Sequence, residues 1–464
     1  MNLKQITLFA GPLVALITYL LLINSIPNNS ALAITAAVAA ICVIWWVFEP
    51  VPIPVTSLLP LAVFQISGVL TANEVGQSYG SPLILLLLGG FILSKSMERS
   101  GAHLRLALFM VNLFGSTSSK QLVFGFMVTA ATLSMWISNT ATTLMLLPVG
   151  LAVANQANDK SLRVPLMLSI AFAASIGGIG TPIGTPPNLI FMQVYEQQFN
   201  KNIGFTEWMT WGVPVVLFMI PITWLWLTRK LTYSGGFDMP DVGKWSKIEK
   251  RVMLVFLLTA IAWITRKEPF GGWSNWFDLP AANDASVALI AVILMFLIPA
   301  GYESDNRKDE KLLDWKTATT IPWGILLLFG GGITLAKAFG VSGLSTSLAE
   351  NLSELSTLPI IILIFSICLG VTFLTEATSN TATTVLLMPV LAATAIGSNL
   401  DPKLLMIPAA ISASCAFMMP VATAPNSIVY ASGFFTTKVM ASEGVILNLL
   451  GAMVITALSY FILV

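Results

Sequence analysis

Runs of about 17 to 25 apolar residues recur from one end of this 464-residue chain to the other, each long enough to cross roughly 30 Å of hydrocarbon. In lipid, backbone donors and acceptors can be satisfied only inside a helix or a closed barrel, so runs of this length dictate helices. The composition agrees, with 56% hydrophobic and 10% charged residues, against about 25% charged in soluble domains. A net charge of +1 offers no basic field for nucleic acid. The three cysteines, Cys42, Cys368 and Cys415, lie singly in apolar stretches and suggest neither disulfides nor zinc.

About eleven spans are expected, near residues 8–26, 31–48, 53–71, 82–98, 164–195, 209–228, 250–266, 284–300, 321–340, 403–434 and 440–463. The first is too long for a signal-peptide core and lacks a small-residue cleavage site, so it is a retained span. Segments 119–155 and 357–395 are apolar but interrupted centrally by Ser-Asn-Thr. Each fits two half-depth helices and is expected to form a re-entrant hairpin whose tip is shielded by protein. With the N-terminus in the cytoplasm, the loops at 95–120, 156–163, 229–251 and 303–316 face inward. All but five of the 23 lysines and arginines then lie inside, the outward ones being Lys201, Arg266, Lys267, Lys337 and Lys403. An odd span count puts the C-terminus outside. The whole is an all-α polytopic protein of a cell membrane, the bacterial inner membrane if the source is prokaryotic.

Three blocks repeat in the same order about 240 residues apart. LLLGGFILSKSMERSG at 86–101 matches LFGGGITLAKAFGVSG at 328–343, ISNTATTLMLLPV at 137–149 matches TSNTATTVLLMPV at 378–390, and TPIGTPPN at 181–188 matches MPVATAPN at 419–426. Five crossings separate the hairpins, so one enters from each side and the repeat is inverted. Inverted repeats with broken helices are how many secondary transporters build a site near the midplane that opens to either side in turn.

The matched blocks also say where the helices break. Pro182, Gly184, Pro186 and Pro187 in the first half, and Pro420 and Pro425 in the second, interrupt the i to i−4 ladder. Each backbone group freed in lipid costs several kcal/mol unless protein, ion or ligand takes it up. Polar side chains gather at these breaks: Ser134, Ser138, Asn139, Thr140 and Thr185, then Thr375, Thr378, Ser379, Asn380, Thr381 and Thr423. Neutral oxygens suit a hard cation, while amide and hydroxyl donors and helix N-termini suit a carboxylate. A lone Ser-Asn-Thr would read as helix-to-helix glue, but two at matched positions, each followed by a matched Thr-x-Pro-Asn, point to a site.

Glu376, the only acidic residue beside the Ser-Asn-Thr and Thr-x-Pro-Asn motifs, stands opposite Met135 of the first repeat. An intramembrane carboxylate is either functional or a structural partner near the hairpin, with Lys337 as the candidate counter-ion. Lys95 and Lys337 occupy equivalent positions at helix ends, where their amines reach the interface. A channel would need a continuous polar pore, and an enzyme a base or metal ligands. This chain has isolated polar breaks and one histidine, His103, so it is not expected to be an enzyme.

The paired Ser-Asn-Thr motifs with paired Thr-x-Pro-Asn loops, in a chain of this length and repeat layout, resemble the divalent anion/sodium symporters, the INDY-type di- and tricarboxylate transporters. The resemblance covers essentially the whole chain. It implies a homodimer in which a scaffold (1–118 and 209–356) holds still while a transport part (119–208 and 357–464) slides as an elevator. It places one sodium ion at Ser134, Ser138, Asn139 and Gly184 and another at Thr375, Thr378, Asn380 and Ala422, partly through backbone carbonyls. Substrate carboxylates would meet Asn139, Thr140, Thr185, Asn380, Thr381 and Thr423. The function implied is sodium-coupled uptake of a C4 dicarboxylate such as succinate. A sodium-independent exchanger, or a symporter for citrate or sulfate, is the alternative.

Overall fold

The computed structural model describes residues 3–26, 29–114, 118–156, 160–232, 243–267, 271–302, 307–352 and 359–464, and its repeating elements are helices. Parts of the four basic loops, and the start of segment 357–395, lie outside the described residues. Nine helices among the described residues are long and apolar enough to cross a membrane. The span expected at 53–71 is instead two short helices, Ile53–Thr56 and Leu58–Ile66. Pro60 has no N–H to give to Thr56, so the ladder breaks where the two meet. End to end they cover roughly 20 Å at 1.5 Å per residue, short of the hydrocarbon thickness.

Both interrupted segments are helical hairpins. The first pairs Ser119–Ser134 with Asn139–Gln156, and the second pairs Ile360–Ala377 with Asn380–Gly397. Arms of 16 to 18 residues are about 24 to 27 Å long, more than half of a roughly 30 Å hydrocarbon core. Both spans that follow are broken as the prolines dictate. Arg163–Gly178 is separated from Pro186–Phe199, and Lys403–Ser412 from Ala424–Tyr430. The two repeats interlock: Arg163–Gly178 packs on Ala424–Tyr430, and Pro186–Phe199 packs on Asn380–Gly397 and Lys403–Ser412. Small residues permit this closeness; a Cβ on Gly177 would overlap the backbone of Ala131 in the first hairpin.

Helix Phe205–Thr228 packs against the first hairpin, the first broken helix and the terminal helix Thr437–Leu463. Gly212 and Gly444 make the same contact in the two halves, pressing on the carbonyls of Ile179 and Phe417. These two helices are therefore repeat partners. Ion pairs link segments whose charge pattern put them on one side. Arg99 meets Glu310 and Asp314 at 3.0 Å, Arg105 meets Glu249 at 2.8 Å, and Lys403 meets Glu207 at 3.1 Å. Lys337 pairs with Glu74 at 3.5 Å, so it is not the counter-ion of Glu376.

Candidate functional site

The two hairpin tips, so far apart in sequence, line one cavity of about 870 Å³ together with both broken-helix loops. Ser138, Asn139, Thr140, Gly184, Thr185, Thr378, Asn380, Thr381, Ala422 and Thr423 all reach its wall. Ser134 and Thr375 do not; they are fully buried one layer behind, each bonded to the tip asparagine of its own hairpin. The lysines that line it, Lys4 and Lys95, share it with Glu49 and Glu98, and Lys95 is tied to Glu98 at 2.6 Å.

Helix ends define the chemistry. Asn139–Gln156, Pro186–Phe199 and Asn380–Gly397 all begin at cavity-lining residues, so three positive helix N-termini converge on the space. Thr185, the N-cap of Pro186–Phe199, makes no capping bond with its side chain and keeps its hydroxyl for a ligand. Thr423 accepts from Asn426 N at 3.2 Å and has its O–H left to donate. The hydroxyl of Thr378 donates to Leu374 O at 2.9 Å and lies 2.5 Å from Thr383 Oγ1, so it has no proton left to donate to a ligand.

Behind the first tip, acceptors crowd together. The Asn139 amide faces Ser134 Oγ at 2.5 Å, Ala174 O at 3.2 Å and Gly184 O at 3.3 Å, and in the protein alone its nitrogen must point there to donate. A cation placed among the same oxygens would let the amide turn over and offer Oδ1 instead. Gly184 is required at this spot, because a Cβ would overlap the carbonyl of Gly178. Behind the second tip, Thr375 Oγ1 is shared between Asn380 Oδ1 at 2.6 Å and Ala413 O at 3.1 Å.

Several residues outside the expected set hold this frame. Asn188 donates to Gly178 O at 2.9 Å and Thr181 O at 2.7 Å, and Asn426 repeats the pattern on Ala416 O and Met419 O, both at 3.0 Å. The matched asparagine of Thr-x-Pro-Asn in both halves was the signal for them. Trp136 in the first tip stacks on Phe205 and Trp263, with centroids 6.1 and 6.5 Å away. Glu376 takes Phe417 N at 2.7 Å, Met418 N at 2.8 Å, Met419 N at 2.9 Å and Asn448 Nδ2 at 2.8 Å. The physical reason is a longer break. Aligned on Thr-x-Pro-Asn, the second broken helix stops at Ser412, four residues short of the position equivalent to Gly178. The extra unwound turn leaves amides that Met135, its counterpart, could not accept from.

The citrate transporter family matches residues 43–404. Sodium-dependent dicarboxylate transporters SdcS of Staphylococcus saprophyticus and Staphylococcus aureus are each 39% identical, over 99% of this chain and 91% of theirs. Among solved structures, the Alcanivorax borkumensis YdaH transporter superposes with a TM-score of 0.60 at 14% identity, covering 87% of this chain and 89% of that one. Neisseria gonorrhoeae MtrF does so with a TM-score of 0.59 at 13% identity, covering 87% and 85%; likeness at this identity speaks for the fold alone. With near-full-length identity of this size and the duplicated tip and loop motifs in one cavity, this chain belongs to the divalent anion/sodium symporter family of di- and tricarboxylate transporters.

Proposed function

We propose that the protein is a sodium-coupled symporter for a C4 dicarboxylate such as succinate, working as a homodimer in the cytoplasmic membrane. The observation that carries this is the pairing of opposite helix ends in one cavity. Three helix N-termini and the donors of Asn139, Thr140, Thr185, Asn380, Thr381 and Thr423 meet where an anion would lie. The helix C-termini behind the tips present carbonyl and hydroxyl oxygens suited to two sodium ions. One ion belongs with Ser134, Ser138, Asn139 and Gly184, the other with Thr375, Thr378, Asn380 and Ala422. Two equivalent tips match two carboxylates, and a third carboxylate, as in citrate, finds no third tip.

The moving unit in this reading comprises both hairpins, both broken helices and the helices Phe205–Thr228 and Thr437–Leu463. The first of these helices joins it because of its packing on the first hairpin and the terminal helix. The N-terminus is cytoplasmic and the C-terminus outside. The cavity contains Lys4, Lys95, Glu49 and Glu98, all near segments assigned to the inside, so the conformation described is open inward. Counterflow of labelled succinate in proteoliposomes, with sodium or choline, tests the reading. Counterflow that requires sodium is expected; equal counterflow in choline would replace the symporter by an exchanger.

A further inference from the structure

We propose that the second half carries one more sodium site, deeper than the hairpin tip, formed by Glu376, Asn448 and the hydroxyls of Thr372, Ser412 and Ser414. The proposal rests on the sodium-coupled reading above and extends it. Thr372 Oγ1, Ser412 Oγ, Ser414 Oγ and Asn448 Oδ1 are buried, and none has a hydrogen-bond partner among the described residues beyond a weak thiol contact at Ser412. Unpaired buried oxygens are unfavourable and ordinarily rare. Here four lie on mutually packed segments, Ile360–Ala377, Thr437–Leu463 and the end of Lys403–Ser412 with the loop after it, beside a carboxylate. Asn448 donates to Glu376, Thr372 lies one turn before Glu376 on the same helix face, and Thr375 binds the carbonyl of Ala413, between Ser412 and Ser414. The thiol of Cys368, one turn before Thr372, faces Ser412.

The inverted repeat supplies an internal control. Aligned on the Ser-Asn-Thr tips, Thr372 and Glu376 correspond to Ala131 and Met135. Aligned on Thr-x-Pro-Asn, Ser412 and Ser414 correspond to Ala174 and Ile176. Aligned on Gly212 and Gly444, Asn448 corresponds to Val216. Five apolar residues therefore fill the same place in the first half, so the fold does not need oxygens there. Orphaned hydroxyls in the first half, at Thr56, Thr129, Thr142, Ser175 and Thr223, have neither carboxylate nor amide oxygen at the positions matching Glu376 and Asn448. A cluster of neutral oxygens beside one carboxylate fits a hard monovalent cation. Glu376 also lines the cavity, which gives an ion a route in.

Two sodium ions with a dianion move no net charge, so a third makes the cycle electrogenic. The test is charge moved per succinate in proteoliposomes, for the wild type, the Thr372→Val/Ser414→Ala double variant and Thr372→Ser, which keeps the oxygen. The wild type and Thr372→Ser should carry one net positive charge per succinate, and the double variant should lose it. A double variant with wild-type charge per succinate overturns the site, as does an electroneutral wild type. In both cases sodium dependence of the wild type would leave the symporter reading standing; a wild type indifferent to sodium removes both. If the double variant does not transport, sodium-dependent thermal stabilisation of the single variants in detergent decides. The sodium concentration for half-maximal effect should rise about tenfold or more in Thr372→Val or Ser414→Ala, and values equal to wild type refute the site.

Discussion

Replacing Glu376 by glutamine should unfasten the second broken helix. The carboxylate accepts four bonds, from Phe417 N, Met418 N, Met419 N and Asn448 Nδ2. Glutamine keeps one oxygen for the three bonds now made to Oε1, but each loses charge assistance, about 1 kcal/mol apiece. Its NH2 turns a donor toward Met419 N–H, leaving that amide unsatisfied at about 1–3 kcal/mol. Burying a neutral amide instead of a carboxylate returns part of the loss, so the net is roughly 3 kcal/mol. Against a typical total stability of about 5–15 kcal/mol, that is large. Thermal unfolding in detergent and uptake in proteoliposomes would measure it: a lower midpoint and uptake reduced at least tenfold are expected. A Glu376→Gln protein with wild-type midpoint and uptake would refute the assignment of the carboxylate as the clasp of the loop.

Three further outcomes follow from the same geometry. Asn139→Ala and Asn380→Ala should each abolish or severely reduce transport while the protein stays monodisperse, because each strips a partner worth about 1–3 kcal/mol from a desolvated site; near-normal uptake in either would contradict the site. Asn426→Leu should destabilise by about 1–3 kcal/mol by leaving Ala416 O unpaired and Met419 O with the Ala422 N–H alone, measured by thermal unfolding. Uptake should fall in step with the succinate dianion as pH is lowered through the second carboxyl pKa, since donors and helix ends line the site; uptake rising with the monoanion would count against it.

Much of the site was legible because the repeat writes it twice. The Ser-Asn-Thr tips and Thr-x-Pro-Asn loops locate every helix break near the cavity, and the structure joins them there. What escaped the sequence depends on tertiary context. Glu376 reads equally as a functional carboxylate or as a structural partner near the hairpin, with Lys337 as candidate counter-ion, because nothing in Ser412 to Cys415 announces that the helix unwinds four residues early. The stretch 53–71 reads as one span by hydropathy, which does not register the N–H that Pro60 lacks. The packing of Phe205–Thr228 on the first broken helix, with Gly212 against Ile179, is a contact visible only in three dimensions.

The central claim is that sodium binds first and organises the site. Oxygens of Ser134, Ala174 and Gly184 already converge on the Asn139 amide behind the first tip, and a cation among them would fix the tip and lower the ordering cost met by the substrate. Linkage requires that succinate raise sodium affinity by the same factor. The most direct measurement is succinate affinity, by calorimetry on the purified protein, across a sodium series with choline as replacement. Affinity should rise steeply with sodium and vanish in choline; a succinate Kd that stays flat across the replacement would contradict the account.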